Sequence, residues 1–253
     1  MLYKVNDKTT FKEKNLENWY VNSEFWLQSQ MRHLKDIHDL TGKLISNTIE
    51  DLKLDRKVNI LDLGCGEGWV YRLLKEYGLN FNYTGLDFNK NFIESNRKRY
   101  DNNGGTFILY DLETSPPEHL FGYADIAINF FNFFEIPNIE IAFSNSAKMI
   151  RNDGILIVVN IDPIMQILSV SESMDDFKNS LKEYERFSSQ LGYDKDIDIG
   201  DERSGRIYKS LLYSTATYVE LAKSNSLQLF DYKEIIKTGN FVPQIYQYIF
   251  FKK

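Results

Sequence analysis

Apolar positions in the first part of the chain recur at three- and four-residue steps, which places them on one face of a helix. This stripe lies within residues 19–54 and comprises Met31, Leu34, Ile37, Leu40, Leu44, Ile45, Ile49 and Leu52. Gly42 lies inside the stripe and marks a candidate break between two helices. Residues 1–18 are polar, and we expect the start of the chain to be loose. The pattern predicts a helical N-terminal cap, residues 1–54, ahead of the main domain.

Beyond residue 55, short apolar runs alternate with helical segments. We predict strands at residues 58–63, 81–86, 106–110, 124–130 and 155–161, with helices at 69–77, 91–100 and 139–150. Strands that alternate with helices in this way form a mostly parallel sheet covered on both faces. The predicted fold class is therefore α/β.

Residues 162–212 interrupt the alternation. Residues 163–191 have the pattern of one or two charged amphipathic helices, and residues 192–205 that of a polar, acidic loop, so we expect a helical cap insertion. A helix at 215–224 and strands at 227–236 and 246–251 follow. About nine residues join these two strands, and because a parallel crossover needs a dozen or more, we predict an antiparallel pair. The core then spans residues 55–253, with 162–212 inserted.

Composition narrows the function classes. The chain has 253 residues, 43% of them hydrophobic, which is enough for one large domain with its own core. A net charge of −6 argues against a uniformly basic surface for nucleic acid. The single cysteine, Cys65, excludes an internal disulfide, and with only three histidines we expect no metal site. Without a long apolar stretch or a signal-like start, we expect a cytoplasmic protein that has no membrane partner.

The most specific motif is a glycine-rich segment, residues 60–68, which reads ILDLGCGEG. Gly64, Gly66 and Gly68 fall in the turn between a predicted strand and a predicted helix. Glycines there admit unusual backbone dihedrals and let a ligand approach closely. The helix that follows offers free backbone N–H groups to a negative group. The segment predicts a ligand site at the carboxyl ends of the strands.

Acidic residues end the first three core strands: Asp62, Asp87 and Asp111. Asp87 lies 19 residues beyond Gly68, and an acid at the end of the second strand is placed to bond the hydroxyls of a ribose. A nicotinamide or flavin dinucleotide fold would require the spacing GxGxxG. Here the third glycine comes one residue early and Trp69 follows it, so a pyrophosphate would have to pass a bulky side chain. The dinucleotide alternative is therefore disfavoured.

These motifs resemble those of the class I S-adenosylmethionine-dependent methyltransferases. ILDLGCGEG is similar to the first motif of that family, and YTGLDFN is similar to the second. AINFFNFFEIP and MIRNDGILIVVN are similar to the segments around the fourth and fifth strands, with Asn-Asp-Gly where many members have Pro-Gly-Gly. The resemblance covers residues 58–161 well and 213–253 loosely. It implies a seven-stranded Rossmann-like sheet, order 3-2-1-4-5-7-6, in which strand 7 is antiparallel.

The resemblance also implies a cofactor, S-adenosylmethionine, with S-adenosylhomocysteine as its product, and roles for residues by position. Asp62 orients the loop and reaches the cofactor's amino group through water, Asp87 takes both ribose hydroxyls, and Phe88 packs against the adenine. Asp111 accepts from the adenine amino group, with Leu112 beside it. The other residues implied to line the cofactor site are Gly64, Cys65, Gly66, Gly68, Asn129 and Phe130, the last two facing the transferable methyl group.

Methyl transfer depends mainly on positioning and on the exclusion of water, and a base is needed only where the acceptor must lose a proton. His33 and His38 are candidates, but five residues on a helix separate them, so they cannot both face the site, and a solvent-facing position is the simpler interpretation of each. Asp162 follows the fifth strand, where this family often places a substrate-contacting residue; alternatively it caps the next helix. Tyr20 and Trp19 belong to an aromatic segment that either folds over the cofactor as a lid or packs as an ordinary cap.

Three function classes stay open. A methyltransferase that acts on an O or N atom of a small molecule fits the cap segments, the acidic charge and an aromatic cluster that suits an aromatic or apolar acceptor. That cluster comprises Phe130, Phe131, Phe133 and Phe134. Residues 129–132 lack the prolines of enzymes that methylate DNA bases, which argues against DNA. The alternatives are a protein- or RNA-directed methyltransferase and a cofactor-binding partner subunit without activity. A homodimer formed through residues 162–212 is also left open.

Overall fold

The N-terminal segment is helical, as its apolar stripe predicts, but its order begins earlier than expected. This computed structural model describes residues 2–33, 35–100, 103–187, 190–196, 207–237 and 244–253, without the side chains at 22, 24–33, 193–196 and 207–208. Strand β1 (Leu2–Lys4) precedes helices α1 (Lys8–His33) and α2 (Lys35–Leu52). Asp7 accepts hydrogen bonds from the N–H groups of Thr9 and Thr10 at 2.9 and 3.1 Å and so begins α1. The expectation of a loose start is wrong, because this cap and the buried Phe11 fix it.

Gly42 lies inside α2 and does not break it. Its role is close packing: a Cβ there would lie 2.3 Å from Cδ2 of Leu73, which belongs to α3 (Trp69–Glu76). Glycine therefore lets α2 lie tightly against the core.

The core elements follow the predicted alternation. In chain order they are β2 (Val58–Leu63), α3, β3 (Phe81–Asp87), α4 (Lys90–Tyr100), β4 (Gly105–Leu109), β5 (Ala124–Phe130), α5 (Ile139–Met149) and β6 (Ile150–Ile161). The insertion contributes α6 (Pro163–Val170), α7 (Met174–Phe187), β7 (Leu191–Asp196) and β8 (Ile207–Leu211). The chain ends with α8 (Thr215–Ser224), β9 (Gln228–Lys237) and β10 (Gln244–Lys252).

Seven strands form the main sheet in the order β4-β3-β2-β5-β6-β10-β9. Counted along the sheet's own strands, this is 3-2-1-4-5-7-6. β10 runs antiparallel to both β6 and β9, whereas the remaining pairs are parallel. The predicted fold class, strand order and antiparallel strand are therefore confirmed. The carboxyl ends of β2, β3, β4 and β5 meet at one edge of the sheet, where a Rossmann-like fold places its ligand.

The sheet is covered on both faces. One apolar layer packs α5 and α8 against it and includes Phe143 and Tyr218, while the opposite layer packs α2, α3 and α4 and includes Ile45 and Leu74. In the part of the chain that the structure describes, no helix has the length and apolar character needed to cross a membrane.

The insertion is not purely helical. β1, β7 and β8 pair antiparallel in a second, three-stranded sheet, with Leu2 opposite Tyr193 and Gly192 opposite Leu211. Residues 191–196 are thus a strand, where a loop is expected from residue 192 onward. The polar sequence LGYDKD has little apolar alternation, and its partner β1 lies at the other end of the chain, so local patterning could not reveal the pairing.

Candidate functional site

The glycine-rich loop adopts the backbone that its sequence predicts. Gly64, Gly66 and Gly68 have φ angles of +79°, +50° and +77°, in the left-handed region that favours glycine. A Cβ at Gly64 would lie 2.6 Å from Cγ of Asn132, so a larger residue would not fit there. Cys65 is buried in the same loop, and burial raises the pKa of its thiol.

Asp87 ties this loop to the end of β3. Its Oδ2 accepts a hydrogen bond from the N–H of Gly66 at 2.8 Å, and its Oδ1 accepts one from the N–H of Asn89 at 2.8 Å. Burial raises the pKa of the Asp87 carboxyl to about 6, although both backbone hydrogen bonds act to lower it. A carboxylate has about four acceptor sites, so both oxygens retain capacity for further donors.

Asp62 lies beneath the loop. Only 1% of it is exposed, and it accepts a hydrogen bond from the hydroxyl of Tyr83 at 2.6 Å. Burial raises the pKa of Asp62 to about 7; the Tyr83 hydrogen bond lowers it and the charge of Asp87 raises it further. Asp62 therefore supports the loop from below, and no observed contact carries it to the ligand side.

A cleft of about 510 Å³, open solvent at its mouth included, lies above these strand ends. Five of the predicted site residues line it together: Gly64, Asp87, Phe88, Asp111 and Leu112. The remaining lining residues come from β3, from the segments after β4 and β5, and from α1: Lys12, Asn15, Leu16, Trp19, Leu86, Tyr110, Glu113, Asn132, Glu135, Ile136 and Pro137.

Helix α1 forms the roof of this cleft. Lys12 donates to Oδ2 of Asp111 at 2.7 Å and also to Glu113. Asn15 donates to the backbone carbonyl of Glu135 at 3.2 Å, and the indole of Trp19 donates to its carboxylate at 2.5 Å. Sequence reasoning missed Lys12, Asn15, Glu113 and Glu135, because single polar residues at these positions form no recognisable spacing.

Tyr20 lies at the outer side of this roof. Its hydroxyl donates to the carbonyl of Phe88 at 3.2 Å, its ring stands edge-on to the Phe88 ring at 6.3 Å, and 42% of it is exposed. It is therefore placed beside the residue expected at the adenine. His33 belongs to α1, but its side chain lies outside the described residues.

Asp162 caps α6. Its Oδ1 accepts from the N–H of Met165 at 2.9 Å, and its Oδ2 accepts from Nε2 of Gln247 at 2.9 Å. This is the alternative that the sequence left open for Asp162. Asn129 is also used structurally: it donates to the carbonyl of Leu63 at 3.3 Å and accepts from the N–H of Phe133 at 3.0 Å.

His38 is not a solvent-facing residue, contrary to the simpler sequence interpretation. It is 3% exposed and stacks on Trp69, with ring centroids 4.0 Å apart and planes 6° apart, and Phe130 stands edge-on to it at 5.4 Å. Burial lowers its pKa to about 3, and the nearby charge of Arg72 adds to this. Both ring nitrogens lack a hydrogen-bond partner among the residues that are described. The apolar stripe of the helix gave no sign that a histidine would share its buried face.

Solved structures agree with this architecture. The magnesium protoporphyrin IX methyltransferase of Synechocystis PCC 6803, solved with bound S-adenosylhomocysteine, has a TM-score of 0.60 at 13% identity and covers 94% of this chain and 99% of its own. An S-adenosylmethionine-dependent methyltransferase of Methanosarcina mazei has a TM-score of 0.61 at 14% identity. The alignment covers 81% of this chain and 96% of that protein's chain. At these identities the likeness is one of fold.

Sequence comparison adds a family match over part of the chain. A model described as a methyltransferase domain matches residues 61–158. A polyketide methyltransferase of Ustilaginoidea virens is 23% identical over 152 residues, which are 57% of this chain and 33% of that protein. A non-reducing polyketide synthase of Aspergillus novofumigatus is 27% identical over 154 residues, which are 58% of this chain and 6% of that protein. The chain thus spans a third or less of these two relatives.

The glycine-rich loop, the strand order and the match over residues 61–158 indicate a methyltransferase domain with a Rossmann-like sheet. Its cofactor is S-adenosylmethionine, which when bound supplies an electrophilic methyl group on a sulfonium. The chain's own residues fit this group: Asp87 has acceptor capacity for ribose hydroxyls. Apart from Cys65 and Glu67, no described residue has a heavy atom within 4 Å of the position that a Cβ of Gly66 would take. Within the described part of the chain, no three His, Cys, Asp or Glu side chains come together as a metal site.

Proposed function

We propose that this chain transfers a methyl group from S-adenosylmethionine to an O or N atom of a small-molecule acceptor. The observation that carries the proposal is the roof over the cleft. Lys12, Asn15 and Trp19 of α1 each bond to residues on its far side, which closes the site from above. A protein- or RNA-directed enzyme would instead need an open groove beside the cofactor, so enclosure favours a small acceptor.

The proposed acceptor side is aromatic. Phe131 is half-buried beside the rings of Phe130, Phe134 and Tyr246, with centroid distances of 4.1, 6.1 and 5.6 Å. Phe131 also has a φ of +54°, which is rare for a bulky residue and costs roughly 1–3 kcal/mol. Such strain is often retained at functional sites. Phe131 precedes Asn132, which lines the cleft, and a ring cluster at this position supports an aromatic or apolar acceptor held by ring contacts.

Within this proposal the protein acts mainly by positioning. The glycine-rich loop and Asp87 hold the cofactor, α1 excludes water, and the aromatic walls orient the acceptor. Asp162, His33 and Tyr20 are proposed candidates for a proton acceptor. His38 is a poor one at neutral pH, because burial lowers its pKa to about 3.

A polyketide is the second candidate for the acceptor. The observation that favours it is the match to proteins whose names include a polyketide methyltransferase and a 5-methylorsellinic acid synthase, the latter 25% identical over 127 residues. Aromatic polyketides are planar and would suit the ring-lined side of the site.

We also propose that the protein is cytoplasmic and that it forms a homodimer through residues 162–212. Analytical sedimentation would test the dimer.

The test uses S-adenosylmethionine with an isotopically labelled methyl group and a panel of phenols, amines and aromatic polyketides. Mass spectrometry would detect the gain of one methyl group, and the carbon chemical shift of the product would identify the methylated atom. Label in a small molecule supports the proposal. Label in added RNA or protein, or cofactor binding without transfer to any class, would favour one of the alternatives. Asp87→Asn serves as the control, because this variant lacks the carboxylate that is proposed to bind the ribose hydroxyls of the cofactor.

A further inference from the structure

Glu135 is an acidic residue of the cleft that no motif predicted. It ends a short 3-10 turn, Phe133–Glu135, directly after β5. Its backbone N–H donates to the carbonyl of Asn132, the residue whose side chain lies against Gly64. Glu135, Gly64 and Asp87 line the same cleft, and the charge of Asp87 acts on Glu135. The residue therefore lines the same cleft as the glycine-rich loop and the proposed ribose ligand.

The other acidic groups of the cleft have charged or backbone partners. Lys12 pairs with both Asp111 and Glu113, and the two oxygens of Asp87 each accept a backbone N–H. In the described part of the chain, the hydrogen-bond partner of the Glu135 carboxyl is the neutral indole of Trp19. Among the described residues neither Asp87 nor Glu135 is paired with a cation, and the Glu135 carboxyl has one neutral indole donor where Asp87 has two backbone N–H donors.

The chemistry of the cofactor supplies a match. The sulfur of S-adenosylmethionine joins the ribose to the methionine portion and carries a positive charge, whereas the sulfur of S-adenosylhomocysteine is neutral. If Asp87 binds the ribose and Gly64 lines the methionine portion, the sulfur lies between them, in the cleft that Glu135 also lines. A carboxylate near a cation in a partly desolvated cleft attracts it far more strongly than in water.

We propose that Glu135 is the residue with which this site distinguishes cationic S-adenosylmethionine from its neutral product S-adenosylhomocysteine. The inference rests on the proposed placement of the cofactor and deepens it. Glu135 would favour binding of the cofactor and also release of the product, because transfer of the methyl group removes the positive charge that its carboxylate attracts.

Proton linkage supports this assignment. Burial raises the pKa of Glu135 to about 8; the Trp19 hydrogen bond lowers it and the Asp87 charge raises it. The groups that face it are Asp87 of β3, Trp19 and Lys12 of α1, and Asp111 and Glu113 after β4. Glu135 is therefore mostly protonated at pH 7 in the free protein. A cation beside it favours the ionised form, so binding of S-adenosylmethionine should release a proton that S-adenosylhomocysteine does not release.

The experiment is calorimetric titration of the intact protein with three ligands: S-adenosylmethionine, S-adenosylhomocysteine and sinefungin, which carries an ammonium group in place of the methyl sulfonium. Wild type, Glu135→Gln and a matched Glu140→Gln control are compared, each in buffers of different ionisation enthalpy. Glu140 is exposed on α5, with Lys8 at 3.8 Å, outside the cleft. We expect Glu135→Gln to weaken both cationic ligands about tenfold, to leave S-adenosylhomocysteine nearly unchanged and to abolish the proton release.

Each outcome of the titration either supports or contradicts the role proposed for Glu135. An equal loss for all three ligands would mean that Glu135 only supports the structure, and unchanged affinities would remove it from the site; either overturns the inference and leaves the cofactor assignment standing. If wild type bound neither cofactor nor product, the cofactor site itself would fail. Should Glu135→Gln not fold, Trp19→Phe releases the carboxylate from its indole partner. Because the indole hydrogen bond favours the ionised carboxyl, that variant should reduce the preference for S-adenosylmethionine over S-adenosylhomocysteine, and no change would count against the proposal.

Discussion

Lys12 donates a hydrogen bond to Oδ2 of Asp111 at 2.7 Å, joining the first helix to a residue 99 positions further along the chain. The same ammonium pairs with Glu113, so one lysine holds two acids at the end of β4. Because Asp111 is expected near the adenine, this contact couples the roof of the cleft to the cofactor site.

Lys12→Met should loosen the roof and weaken cofactor binding. Partly exposed ion pairs contribute roughly 0.2–1 kcal/mol each, so we expect the Kd for S-adenosylmethionine to rise up to about tenfold. Calorimetry measures the affinity, and hydrogen exchange should show faster exchange in α1. Lys8→Met is the matched control, since Lys8 contacts only the exposed Glu140 among its described ion pairs. Equal exchange rates in both variants would show that Lys12 does not hold the roof.

Asp87→Asn should weaken S-adenosylmethionine and S-adenosylhomocysteine together. The change replaces a charged acceptor of ribose hydroxyls, and each charge-assisted hydrogen bond contributes about 1.5–3 kcal/mol. We expect the Kd of both ligands to rise at least about tenfold. Asp231→Asn, on the exposed strand β9, is the control. Unchanged affinity in a folded Asp87→Asn protein would refute the placement of the ribose.

The core of the site was predictable because its signals are local. Three glycines within five residues, acids near the ends of the first three core strands and the regular alternation of strands and helices all lie on short stretches of sequence. The left-handed φ angles of Gly64 and Gly68 are a direct consequence of that spacing. Five predicted residues therefore line one cleft.

The rest of the site was not predictable because it depends on tertiary contacts. Lys12 and Glu135 look like ordinary surface residues until α1 folds over the strand ends. β1 finds its partner β7 only when distant segments meet. Asp162 shows the same limit: its position after β6 is visible in the sequence, but the contacts of its two oxygens with Met165 and Gln247 are not.

The stability of the free protein should fall as pH rises from about 6.5 to 8. Burial raises the pKa of Asp62 to about 7 and that of Glu135 to about 8, from ordinary values of 3.8 and 4.5. In this window the folded state therefore holds protons that the unfolded state has released, and the free energy of unfolding decreases with pH. Each group contributes at most about 1.4 kcal/mol per pH unit. Urea unfolding at several pH values measures this.

Asp62→Asn is the variant that tests the source of this dependence. Asparagine keeps the shape and cannot ionise, so the decrease in unfolding free energy between pH 6.5 and 8 should become shallower than in wild type. Asp231→Asn should retain the wild-type slope. If the pH dependence of the unfolding free energy were unchanged in Asp62→Asn, Asp62 would have to be ionised in the folded protein over this whole pH range. The hydrogen bond from Tyr83 would then be enough to offset the cost of burying its charge.

His38→Leu should stabilise the protein, most clearly in acid. The wild-type imidazole is buried with both nitrogens unpartnered among the described residues, and such a group costs about 1–3 kcal/mol, partly offset here by its stacking on Trp69. Burial lowers the pKa of His38 from 6.5 to about 3. Between these values the unfolded chain binds a proton that the folded protein excludes, so this contribution to stability is present above pH 6.5 and is lost as pH falls. The gain from His38→Leu should therefore be larger at pH 5 than at pH 7, measured by urea unfolding against His119→Leu at an exposed position. If His38→Leu lost stability in acid as steeply as wild type and His119→Leu, this prediction would be wrong. His38 would then have to be protonated in the folded protein, although its contacts with Trp69 and Phe130 provide no partner for the charge.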